Sequence, residues 1–127
     1  RSDTCWGPSA SAPPLRWRPT PVQLADCQLL RAARYVGDAA AQEAVKAKAR
    51  TMYGDYLKEI DGLLKGHKWA IGNHFTVVDG YVRGFDRGGK RNGLTVKSME
   101  NYSALMQRVM ARPAVKKVMA DEGITLD

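Results

Sequence analysis

The sequence predicts an all-α fold, a bundle of about four to five helices, and three observations carry that prediction. Val45, Ala49, Met52, Tyr56, Ile60 and Leu63 follow one another at helical spacing, and shorter stripes of the same period recur after them. No stretch alternates apolar and polar residues as a half-buried strand does. Start and stop signals then cut the chain into pieces of helix length: Asp38, Gly66, the Thr76–Asp79 pair and Arg112-Pro113.

Taken in order, residues 1–21 hold five of the six prolines, and each fixes φ and removes a backbone donor. This reads as an extended or disordered arm, whose Trp6 and Trp17 point either to its being pinned onto the domain or to an arm that is not native sequence, followed by a helical domain over 22–127. Val22, Ala25, Leu29, Leu30 and Ala33 share one helical face, and Gly37-Asp38 ends that segment. Residues 39–65 form the longest helix. Asp38 is its N-cap and Gly66 its stop, while Tyr53, Leu57 and Leu64 widen its apolar stripe. Gly54 within it is expected to let another helix approach. Residues 67–75 form a connector whose Trp69 and Ile71 fold back into the core.

Thr76 and Asp79 have the spacing of a capping box, in which side chain and backbone satisfy each other's orphaned donors at a helix start. The helix they open carries Val78, Tyr81, Val82 and Phe85 on its apolar face. Gly80 and Gly84 are expected to permit a close helix crossing, and Gly88-Gly89 to end the helix ahead of a basic loop over 88–97. Ser98 is the expected cap of a helix running to about Ala111. Pro113 suits the first turn of a final helix that Gly123 closes.

Charge and composition narrow the function classes. The 127 residues carry a net charge of +7. The basic residues are scattered along helix faces, with the densest group at Arg83, Arg87, Lys90, Arg91 and Lys97, and no nucleic-acid motif accompanies them, which argues against a nucleic-acid partner. No apolar run reaches the ~18–20 residues of a membrane span. Arg1 in place of Met reads as a processed chain or a fragment, with no intact signal peptide. Cys5 and Cys27 read as free thiols of a reducing cytoplasm. His67 and His74 lack a third metal ligand, Cys27 lacks a base, and Tyr53, Tyr56 and Tyr81 sit on apolar stripes. No catalytic or metal-binding constellation stands out, and the Thr76–Asp79 box is assigned a structural role.

Three motifs in colinear order add a family resemblance. Lys65–Tyr81, with its Trp69, Gly72-Asn73, Phe75-Thr76 and Asp79, resembles the segment leading into helix 6 of cytosolic glutathione S-transferases. Arg112-Pro113-Ala114-Val115 resembles that family's entry to its last helix, and Leu30–Asp38 resembles the end of helix 4 in bacterial, beta-like members. The resemblance covers about residues 27–124 and only the all-helical C-terminal domain. Val78, Gly80 and Gly88-Gly89 depart from the family's usual small apolar residues and its Trp.

The resemblance implies a domain that shapes the electrophile pocket and the dimer interface of a transferase using glutathione as co-substrate. Arg31, Arg34 and Tyr35 then fall near that pocket or interface. The family's thioredoxin-like domain, which binds glutathione and supplies the catalytic group, is absent from these 127 residues. The expectation is therefore that this chain alone binds no cofactor and is inactive, and that its partners are a thioredoxin-like domain or a second copy. The alternative is a non-catalytic helical interaction module of the same fold.

Overall fold

The computed structural model describes residues 19–124, so the readings made for Cys5, Trp6 and Trp17 lie outside the described residues. Five α-helices follow in order: α1 (Pro19–Leu30), α2 (Ala39–Leu63), α3 (Val77–Arg91), α4 (Glu100–Ala111) and α5 (Pro113–Asp121), with a 3-10 turn at Ala32–Arg34 after α1. There is no strand among the described residues, so the all-α class is borne out.

The expected arm extended to residue 21, whereas α1 already begins at Pro19. First-turn N–H groups have no intrahelical acceptor, so prolines at 19 and 21 cost little there. The same helix ends at Leu30, three residues short of the expected Ala33.

Helix α2 organises the rest, packing against α1, α3 and α4. Asp38 caps it, its carboxylate accepting the Ala41 N–H at 2.9 Å. Gly66 ends its turn at φ +77°, a left-handed conformation that a Cβ would strain. The fully buried stripe of α2 is Ala49, Tyr53, Leu57 and Ile60, continued by Leu64 just past the helix end, while Val45, Met52, Tyr56 and Leu63 lie only half-buried. The widening residues of the sequence stripe are thus the centre of the core. Both stripes have helical period, and only the positions of α1, α3 and α4 choose between them.

Helix α3 runs through Gly88-Gly89 instead of ending there. The true stop is Gly93 at φ +73°, where Leu94 N–H reaches back to Gly89 O at 2.9 Å and Gly93 N–H to Lys90 O at 3.1 Å. The close approach expected at Gly80 and Gly84 occurs at Gly88 and Gly89 instead. A Cβ at Gly88 would stand 2.6 Å from Tyr53 Oη, and one at Gly89 would stand 3.3 Å from both Leu57 and Tyr53. A Cβ at Gly80 or Gly84 would meet nothing within 4 Å. Gly54 likewise admits no helix: its neighbour is the Leu94 side chain of the loop after α3, at 3.9 Å.

Two tyrosines pin α3 from its neighbours. Tyr53 Oη of α2 donates to Phe85 O and Tyr102 Oη of α4 donates to Val82 O, each at 2.6 Å. The start of α4 is held from α2 and not by Ser98, which lies exposed in the preceding turn. Asp61 accepts Tyr102 N–H at 2.7 Å and Asn101 Nδ2 at 3.3 Å, placing a carboxylate at the positive end of α4. Pro113 opens α5, which packs only against α4 among the helices. The space between α5 and α3 therefore stays open.

Candidate functional site

The connector of residues 64–76 is tied down at the start of α3. Thr76 and Asp79 form a capping box, and the Asp79 carboxylate is fully out of solvent. Its Oδ2 accepts Thr76 N–H at 2.7 Å and the Thr76 hydroxyl at 3.2 Å, while its Oδ1 accepts Ala70 N–H at 2.8 Å. Held by three donors and closed off from solvent, this carboxylate serves the structural joint. Trp69 meets Phe75 edge-on at 5.7 Å between ring centroids, and the Arg112 guanidinium lies over the Phe75 ring, 4.1 Å from its centroid.

With Gly80 and Gly84 bare, α3 has an unfilled strip flanked by two grooves. On the α1 side a groove of about 490 Å³ is lined by Gln23, Asp26, Val77, Tyr81 and Phe85 over the two glycines. The Tyr81 and Phe85 rings are tilted by 53° with centroids 6.4 Å apart, the Tyr81 ring half-exposed and the Phe85 ring buried behind it. Asp26 Oδ1 accepts Asn92 Nδ2 at 3.3 Å, and the same amide donates to Gly88 O at 2.9 Å. On the α5 side a groove of about 320 Å³ runs between Phe75, Val115, Val118 and Met119, with Arg83 and Arg112 at its edges. Both volumes fall within the range of ligand-binding clefts.

Chemically these surfaces can bind and orient, but among the described residues no set of side chains forms a nucleophile–base pair. His67 and His74 are both exposed on the connector, Cys27 is an exposed free thiol on α1, and no group of metal-ligating residues occurs among the described residues. Burial, reinforced by the nearby Asp26 and Asp86 carboxylates, pushes the Tyr53 hydroxyl well above its ordinary acidity range. Burial and Asp86 do the same to Tyr102. Both hydroxyls stay protonated donors to α3. Tyr81, expected on the apolar face, is instead half-exposed in the groove.

Arg31, Arg34 and Tyr35 are brought together on the turn after α1, where Arg34 N–H meets Arg31 O and Tyr35 N–H meets Ala32 O, each at 2.9 Å. All three are exposed, and none lines either groove. Sequence reasoning missed Gln23 and Asp26 as groove residues. The Gly80–Gly84 spacing was the available signal, since two small residues on one face permit either a close crossing or an empty channel.

The model of a family described as "Glutathione S-transferase, C-terminal domain" matches residues 24–113. The chain belongs to this family. A curated relative, glutathione S-transferase GstA of Escherichia coli O157:H7, is 29% identical over 82 residues, covering 65% of this chain and 41% of the relative. A solved glutathione S-transferase from Xylella fastidiosa superposes with a TM-score of 0.76 at 23% identity, over 85% of this chain and 52% of that one. That second likeness shows the fold. The chain thus spans about half the length, or less, of the transferases it matches, and the resemblance drawn from three short motifs is borne out over the domain they delimit.

Proposed function

We propose that this chain is the helical domain of a glutathione S-transferase that walls the electrophile pocket, and that it does not conjugate glutathione by itself. The observation that carries this reading is the match of residues 24–113 to the family's C-terminal domain. Its geometry agrees. The α1–α3 groove is open on one side, floored by glycines and lined by Tyr81, Phe85 and Val77, as half of a two-domain pocket would be. Val77 and Tyr81 remain exposed beside it, an apolar rim for a thioredoxin-like domain that would bring glutathione to the other side. In this reading the family's reaction joins the glutathione sulfur to an electrophilic carbon. The helical domain orients and desolvates the electrophile, and the sulfur is activated elsewhere.

Leu24 and Leu30 on the outer side of α1 are half-exposed, as is Tyr35, and Arg31 and Arg34 border them. This patch suits a second copy in a dimer, or the partner of a non-catalytic interaction module, so we assign Arg31, Arg34 and Tyr35 to an interface edge. The cytoplasm is the proposed compartment, where glutathione is abundant and Cys27 stays reduced.

The test is a conjugation assay with a general electrophile and glutathione, run beside calorimetric titration of glutathione. The expected result is no turnover and no glutathione binding by this chain. Turnover by the chain alone overturns the assignment of catalysis to another domain.

A further inference from the structure

The two grooves flanking α3 share the bare Gly80 floor but differ in charge. Arg83 and Arg112 border the α5 side, and Arg87 lies beside Arg83 further along it. The α1 side has a single formal charge in its lining, the Asp26 carboxylate. No cation pairs with Asp26 among the described residues. Its one hydrogen bond there comes from the neutral Asn92 amide at 3.3 Å, to Oδ1, which leaves Oδ2 unbound. The remaining groups in the α1-side lining are the Gln23 amide, the Tyr81–Phe85 pair, Val77 and the glycines.

We propose that the α1–α3 groove selects organic cations, aromatic bodies carrying an ammonium or amidinium group, with Asp26 as charge partner and the half-exposed Tyr81 ring, backed by the buried Phe85, as stacking face. Two independent features favour the same sign. A carboxylate against apolar walls attracts a cation more strongly than it would in water. Aromatic faces attract cations through their quadrupole. An organic anion of the same aromatic body stacks as the cation does, but it meets repulsion at Asp26 and lacks the cation–quadrupole attraction. The net charge of +7 opposes approach of a cation at long range, but that field is screened within ~8 Å at physiological ionic strength, whereas a ligand in the groove lies against the carboxylate. The inference rests on the reading of this groove as the electrophile wall and adds to it a preference for electrophiles that carry a positive charge.

Three naphthalene probes of matched shape test it: one bearing a trimethylammonium group, one a sulfonate and one uncharged. Each is titrated into the full chain, with affinity read by fluorescence and the site by amide chemical shifts at Gly80, Tyr81 and Gly84. The cationic probe is expected to bind about tenfold more tightly than the sulfonate. Asp26→Asn, which keeps the side-chain shape, should bring the two within about twofold. Tyr81→Leu, at a half-exposed position, should weaken all three probes through lost stacking and the cation most, which narrows its preference and serves as a second reading if Asp26→Asn unfolds. Groove shifts with equal affinities for the two ions, or a preference that survives both substitutions, overturn the charge selection and leave the pocket reading standing. Absence of groove shifts with all three probes overturns both.

Discussion

Asp79 shows how a short motif becomes a fixed point. A free carboxylate buried to this extent would be costly, yet Asp79 accepts from two backbone N–H groups and a hydroxyl, which offsets its desolvation. Asp79→Ala leaves the N–H groups of Ala70 and Thr76 without their acceptor, and is expected to lower stability by ~2–3 kcal/mol. Asp79→Asn should recover little. An amide has one acceptor oxygen, so its NH₂ group would face the N–H of either Ala70 or Thr76. Urea denaturation checks both, and a midpoint unchanged in Asp79→Ala would count against the capping role. The Thr76–Asp79 half of this arrangement was legible because capping is local and has a fixed spacing. The Ala70 bond was not: it crosses a connector whose path no periodicity encodes.

At the level of elements, the glycines of α3 divide into two kinds that look alike in sequence. Gly80 and Gly84 meet open space, while Gly88 and Gly89 are pressed by Tyr53 and Leu57. Gly84→Ala should therefore stabilise by ~0.5–1 kcal/mol, the propensity difference in a helix interior. Gly88→Ala gains the same propensity but sets a Cβ 2.6 Å from Tyr53 Oη, and overpacking of that kind costs ~1–3 kcal/mol, so it should destabilise on balance. Adding Tyr53→Phe removes the clashing oxygen, and thermal unfolding of the double variant should show a cost smaller than the sum of the two single changes. Additivity of the two would mean that the hydroxyl is not what holds position 88 to glycine. A Gly-Gly pair reads as a helix stop because glycine is a poor helix former. It is not one here because the left-handed residue that ends the helix is Gly93, and because tertiary packing of Tyr53 requires the bare backbone at 88 and 89.

For the whole molecule, helix number and order were legible because each helix carries its own period and its own boundary residues. The grooves were less so, because a groove is what remains after packing. Asp26 and Tyr81 come together only once α1 lies along α3, and Arg31, Arg34 and Tyr35 are exposed on a turn that packs on α1 and α2. The buried hydroxyls of Tyr53 and Tyr102 join α2 and α4 to α3, and they make the fold sensitive to base. Both are harder to ionise in the folded chain than in the unfolded one, where a tyrosine titrates near ~10. Above that pH the unfolded state has lost protons that the folded state still holds, so stability falls as pH rises. The contribution of the two hydroxyls is complete below ~10 and is lost progressively above it as pH climbs toward the folded values. Urea midpoints should therefore be insensitive to these groups from neutral pH to about 9 and drop steeply beyond ~10, with tyrosinate absorbance appearing together with unfolding. Tyr53→Phe, though less stable at neutral pH, should show a shallower drop. If all five tyrosines titrated at ordinary values in a chain that stayed folded, the hydroxyls of Tyr53 and Tyr102 could not be the buried donors that fasten α2 and α4 to α3.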